Sequence, residues 1–119
     1  MMKQKEIFNL LAIGLMDNIP QGQYFDKAVL NIMRQPAMVE FKGHIIYNSQ
    51  KIDLEVSMGY KYAKAILELY QITQTQAPIH KNWNRAIFTL YPNATSEMEY
   101  IRDEKLQQKV DGYNNPSTT

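Results

Sequence analysis

Residues 37–56 read AMVEFKGHIIYNSQKIDLEV, and this stretch decides the fold. From Ala37 to Asn48 one side of the chain is apolar and the other is mostly charged. The first side carries Val39, Phe41, Gly43, Ile45 and Tyr47, and the second carries Met38, Glu40, Lys42 and His44. Lys51 to Val56 alternates in the same way, and a period of two predicts strands with one buried face. The turn Asn48-Ser49-Gln50 between them predicts an antiparallel hairpin.

Further elements are predicted on both sides of this hairpin. Upstream lie a helix over Lys3–Asn18, which ends before Pro20, and a strand over Tyr24–Gln35, which ends at Pro36. Downstream lie a helix from about Met58 to Thr75 with Ser57 as its N-cap, strands over Arg85–Tyr91 and Ser96–Arg102, and a short polar helix over Asp103–Val110.

This order of elements, α-β-β-β-α-β-β, predicts the α+β class. We expect an antiparallel sheet of about five strands with the two main helices packed on one face, because each apolar helix stripe needs a surface to cover. Residues 1–110 form a single α+β domain in this prediction. Residues 111–119 contain Asn, Pro, Ser and Thr and are predicted to be a flexible tail.

Composition sets the broad class. The chain has 119 residues, which corresponds to about one domain. A net charge of +1 gives no reason to expect nucleic acid as a partner. No stretch has the length of a membrane span, and the apolar run from Ile7 to Met16 lacks a cleavage site, so we expect a cytoplasmic protein with no membrane partner.

No group of residues has the spacing of a catalytic, cofactor-binding or metal-binding site, so we expect no enzyme and no cofactor. The two histidines, His44 and His80, have no second ligand at metal-binding spacing. Tyr62 and Tyr70 lie on the apolar stripe of their helix, which favours core packing. Trp83 is predicted to be a core anchor with its indole N–H hydrogen-bonded.

Acidic side chains accumulate on the face of the predicted sheet that points away from the helices. These acids are Glu40, Asp53, Glu55, Glu97, Glu99 and Asp103, and the bases predicted beside them are only Lys42 and Lys51. An acidic face can dock a basic partner. It can equally be a hydrated sheet surface, and the sequence leaves both interpretations open.

Two segments resemble the YezG-like immunity proteins. The first is Asp17-Asn18-Ile19-Pro20 at the end of the first helix. The second runs from Trp83 through the Tyr91-Pro92-Asn93 turn to Glu99-Tyr100-Ile101-Arg102-Asp103. The likeness in layout covers roughly residues 4–108, although this turn reads Asn93-Ala94-Thr95 where family members usually have glycine.

The resemblance implies a cytoplasmic immunity protein that binds and neutralises a cognate toxin domain, often a nuclease, by covering its active or substrate surface. The acidic residues named above are the predicted docking site. One alternative is a ligand-binding or regulatory domain with a pocket lined by Tyr62, Tyr70 and Trp83. Another is a small metal-dependent hydrolase that uses Glu97, Glu99 and Asp103. An exposed edge strand could also pair with a second copy of the chain.

Overall fold

The fold is that of a computed structural model, which describes residues 2–36, 38–76 and 80–114. Its helices and strands are α1 (Gln4–Asp17), β1 (Lys27–Gln35), β2 (Met38–Tyr47), β3 (Gln50–Leu54), α2 (Tyr60–Gln76), β4 (Arg85–Leu90), β5 (Ser96–Ile101) and α3 (Glu104–Asn114). The predicted α+β class and element order are confirmed. The tail predicted from residue 111 is helical as far as Asn114, where α3 ends, and its remainder lies outside the described residues.

All five strands form one antiparallel sheet in the order β3-β2-β1-β4-β5. β1 is the central strand and pairs with both β2 and β4, for example through Leu30, which lies between Gly43 and Phe88. The sequence explains this position, because Ala28, Val29 and Leu30 are consecutive apolar residues and all three are buried. Ala28 and Leu30 lie on the face that the helices cover, and Val29 lies on the other face between His44 and Thr89 of the two neighbouring strands.

Two helices cover one face of this sheet and enclose the core. The main contributions from the helices are Ile7, Leu11 and Leu15 of α1 and Ile66 and Leu69 of α2, all fully buried. They pack on Leu30, Ile32, Ile45 and Phe88 of the sheet. Among the described residues, no helix has the length and apolar character needed to cross a membrane.

Asn18 fixes the end of α1 to the segment that precedes α2. Its side-chain amide donates to Gly14 O at 2.8 Å, and its Oδ1 accepts a 2.9 Å hydrogen bond from the backbone N–H of Ser57. The prediction that Ser57 caps α2 is wrong, because the helix begins at Tyr60 and the residue directly before it is Gly59.

The β2–β3 and β4–β5 hairpin turns use residues with positive φ. Asn48 and Ser49 have φ of 50° and 64° and form a two-residue connection between the paired residues Tyr47 and Gln50. This geometry matches the right-handed twist of the flanking strands. In the β4–β5 turn, Ala94 has φ of 70°, at a site that favours glycine. The backbone N–H of Ala94 donates to Tyr91 O at 3.0 Å, which closes the turn.

Candidate functional site

The candidate site is the outer face, the surface of the sheet opposite α1 and α2. Residues paired across antiparallel strands point to the same side, so the register identifies this face. One row across all five strands is Asp53, His44, Val29, Thr89 and Glu97, and the next is Lys42, Asn31, Ile87 and Glu99. A third row contains Glu40, Met33, Arg85 and Ile101. Helices α1 and α2 pack over the opposite face. Helix α3 reaches the third row at its Arg85 end, where Leu106 and Lys109 line a depression with Met33 and Arg85.

An apolar strip runs through the middle of the outer face. Ile87 pairs with Asn31 of β1, and Val29, Met33 and Ile101 are its diagonal neighbours. Ile46 continues the strip as a diagonal neighbour of Val29. The outer strip consists of Val29, Met33, Ile46, Ile87 and Ile101. Val29 is only 7% exposed and the other four are half-buried. The sequence did not reveal this strip, because β1 and β4 carry apolar residues on both faces and do not alternate with charges.

The structure separates the acids that the sequence grouped together. Glu97 and Glu99 lie on edge strand β5, whereas Asp53 lies on the opposite edge strand, β3. Four strand spacings of about 4.8 Å place these two edges roughly 19 Å apart. Glu40 lies on β2 in the row of Met33, and Glu55 follows the end of β3. The acids therefore border the outer strip at separate points and do not form one cluster.

The outer face also carries more basic residues than the sequence predicted. Lys27 pairs with Ile46 and Arg85 pairs with Met33, so both join Lys42 and Lys51 on this side. Lys42 lies 3.9 Å from Glu40, and Lys51 lies 3.7 Å from Asp53. The face is thus mixed in charge. The prediction of only two bases was wrong because Lys27 and Arg85 begin their strands, where no charged alternation marks the side on which a residue lies.

Both carboxylate oxygens of Asp103 are bonded within the protein. Its Oδ1 accepts a 3.0 Å hydrogen bond from the Leu106 N–H in the first turn of α3, and its Oδ2 lies 2.6 Å from Arg85 Nε. The first contact is that of a helix N-cap. The Leu106 N–H and then Arg85 hold the pKa of Asp103 below its ordinary value. Asp103 therefore joins α3 to the sheet.

His44 is half-buried near the centre of the outer face. Its Nδ1 lies 3.5 Å from the side-chain amide of Asn31, across β1 and β2. Burial, followed by the nearby charge of Lys51, lowers the pKa of His44 and favours its neutral form. Both side chains line a shallow depression of about 580 Å³ that extends towards Arg85. The centre of the face therefore offers neutral hydrogen-bonding groups beside apolar ones.

The structure also places the residues of the two alternative sites, the ligand pocket and the metal-dependent hydrolase site. Trp83 is 1% exposed and packs edge to face on Tyr70, with ring centroids 5.5 Å apart, while Tyr62 packs on Gly14. Tyr70 and Trp83 are therefore in contact with each other, whereas Tyr62 lies against α1. Among the residues that the structure describes, no three His, Cys, Asp or Glu side chains gather as a metal site, and Glu97, Glu99 and Asp103 are not such a group.

Trp83 and its neighbours confirm one prediction about this region. The indole N–H of Trp83 is hydrogen-bonded inside the core, as predicted. The guanidinium of Arg34 lies 3.6 Å from the Tyr70 ring centroid and donates two hydrogen bonds to Trp83 O.

No family model matches the chain, and no curated protein matches it either.

Proposed function

We propose that this protein is an immunity protein that binds a cognate toxin domain through its outer face and covers the active or substrate surface of that domain. The observation that carries the proposal is the outer strip, an apolar centre with charged residues around it on an open sheet. Protein interfaces have this composition, with an apolar, charge-depleted centre and a polar rim. The resemblance to the YezG-like proteins supplies the toxin as the partner.

The acids take a narrower role in this proposal than the sequence suggested. Glu97 and Glu99 are exposed on the β5 edge and would face basic groups at the rim of the partner. Rim charges mainly raise the rate of association and make it dependent on salt. Asp103 is excluded from the contact set because its carboxylate is occupied by Leu106 and Arg85. We therefore expect the binding energy to come mainly from the outer strip.

The test is to search the neighbouring genes for a toxin domain and to measure its binding to this protein by calorimetry and by surface plasmon resonance. Ile87→Lys places a charge at the centre of the outer strip, and we expect it to weaken the complex by about 30-fold or more, the effect of losing an interface hot spot. Glu97→Lys with Glu99→Lys should mainly slow association and alter its salt dependence.

A matched control adds positive charge on the other side of the molecule. Gln71 and Thr75 are exposed on α2, so Gln71→Lys with Thr75→Lys should leave the affinity unchanged. Circular dichroism should confirm that each variant is folded. No complex between the native proteins at micromolar concentration would overturn the immunity function. Equal affinity for Ile87→Lys and the control pair would overturn the assignment of the interface to the outer face.

A further inference from the structure

Helix α1 has a second apolar face in addition to the one that enters the core. Ile13 is 59% exposed and Met16 is 47% exposed, although both are large and apolar. They share a side of the helix with Asn9 and Ala12, on the flank away from Ile7 and Leu11. The packing of one chain therefore leaves part of α1 uncovered.

This second face borders a groove. Ile13 and Met16 form one wall, and the other wall comes from Phe25 and from Tyr91 and Pro92, which follow β4. The volume of the groove is about 620 Å³, and its lining is mainly apolar. Asp17, at the end of α1, is the only charged residue among the described residues that line it. The occupant of this groove should therefore be apolar and should carry a base at one end.

α1 itself carries the matching base. Lys5 lies one helical turn before Asn9 on the same side of α1, and Asp17 lies at the other end. Both are exposed, and neither has an ion-pair partner within the described part of the chain. Each charge also opposes the helix dipole, because a base lies in the first turn and an acid in the last. Stabilisation of α1 does not explain these positions.

We propose that a second copy of the chain occupies this groove, so that α1 pairs antiparallel with α1 of its partner about a two-fold axis. In this arrangement Lys5 of each copy faces Asp17 of the other, the two-fold axis passes level with residue 11, and Ile13 of each copy lies beside Asn9 of the other. A parallel pair would place Lys5 against Lys5 and Asp17 against Asp17. Self-complementary patches of this kind are what a two-fold interface requires. The outer face remains open, so the proposal does not depend on the immunity function.

A charge exchange tests the pairing by light scattering and sedimentation. The native chain should be a dimer. Lys5→Glu alone and Asp17→Lys alone each create two like-charge contacts, and we expect each to weaken the dimer by about tenfold or more. An equal mixture of the two variants restores opposite charges at both contacts and should form a heterodimer, which native mass spectrometry identifies.

Loss of folding does not account for these results, because both substitutions improve the match with the helix dipole. Ile13→Lys should give a monomer, while Leu67→Lys, an exposed apolar position on α2, should leave the dimer intact. A native chain that remains monomeric up to about 1 mM would overturn the proposal. So would a dimer that is indifferent to both charge variants, or a mixture that forms no heterodimer.

Discussion

The indole Nε1 of Trp83 donates a 2.7 Å hydrogen bond to Oγ1 of Thr73, and both side chains are almost completely buried. Thr73 Oγ1 in turn donates to the backbone oxygen of Tyr70 at 2.8 Å. The threonine hydroxyl thus satisfies the only polar atom of a large aromatic side chain inside the core. It also connects α2 with the segment that leads into β4.

Replacing Thr73 by valine should lower the free energy of unfolding by about 1–3 kcal/mol, because the Trp83 N–H would stay buried without an acceptor. Urea unfolding followed by tryptophan fluorescence measures the change. Thr75→Val is the control, since Thr75 is exposed and the side chains exchanged are the same. We expect its effect to stay within about 0.5 kcal/mol. Equal losses in the two variants would mean that the buried hydrogen bond contributes nothing specific.

Gly43 allows the segment after β3 to lie close to the sheet. A Cβ atom at this position would lie 2.5 Å from Val56 Cγ2. Gly43→Ala should therefore destabilise the fold by about 1–3 kcal/mol through overpacking. Val56→Ala removes the clashing atom, so the double variant should be more stable than the sum of the single losses predicts, by at least about 0.5 kcal/mol.

Gly112 provides the comparison for Gly43. It lies in α3, and a Cβ atom added at this position would have open space around it. Gly112→Ala should therefore be neutral or stabilise the helix by about 0.5–1 kcal/mol. Thermal and urea unfolding of the same set of variants give both results. Strictly additive losses for Gly43→Ala and Val56→Ala would contradict the close approach.

Ala94 is held in the left-handed region at φ of 70°, a conformation that glycine adopts at no steric cost. An L-residue with a Cβ is disfavoured there by roughly 1–2 kcal/mol. Glycine would remove this cost from the folded state, but it also raises the chain entropy of the unfolded state, which cancels part of the gain in stability. Ala94→Gly should therefore raise the free energy of unfolding by about 0.5–1 kcal/mol. The control Ala63→Gly, within α2, should lower the free energy of unfolding by about 1 kcal/mol. If both variants were less stable than the native chain, Ala94 would not be strained at the turn.

The hydroxyl of Tyr100 is buried without a hydrogen-bond partner in the described part of the chain. Burial raises the pKa of Tyr100 to about 12, whereas an unfolded tyrosine ionises near pH 10. Between these values the unfolded chain loses the proton and the folded chain keeps it. Stability therefore falls as the pH rises through this window.

Tyr100→Phe should flatten the fall in stability above about pH 10 and leave stability at pH 7 unchanged or higher, because no hydrogen bond is lost. Urea unfolding from about pH 8 to 11, with tyrosinate absorbance recorded in parallel, measures both effects. Tyr60→Phe is the control at an 80% exposed position and should keep the native pH profile. A Tyr100→Phe profile that coincides with the native one would contradict the role of burial.

The class of fold was predictable because its signals are local. The alternation in β2 reflects a burial pattern that repeats every second residue along most of the strand, and the helix stripes repeat every three or four. In the edge strand β3 the sequence alternates although its residues are exposed as far as Asp53. The core position of Trp83 could be anticipated for a similar reason, since a large apolar ring with one donor favours a buried site with one acceptor. Such features depend on neighbours within a few residues along the chain.

The outer face depended on tertiary structure. Pairing of Ala28 with Leu90 places β4 beside β1, and this contact between distant segments separates β3 from β5. The same register brings Lys27 and Arg85 to the face that the sequence predicted to be acidic. Strand order is set by the total burial of the sheet, to which segments far apart in sequence contribute together. The sequence alone therefore determined which elements form and which of their sides are apolar, while long-range pairing decided which charges and apolar residues share a surface.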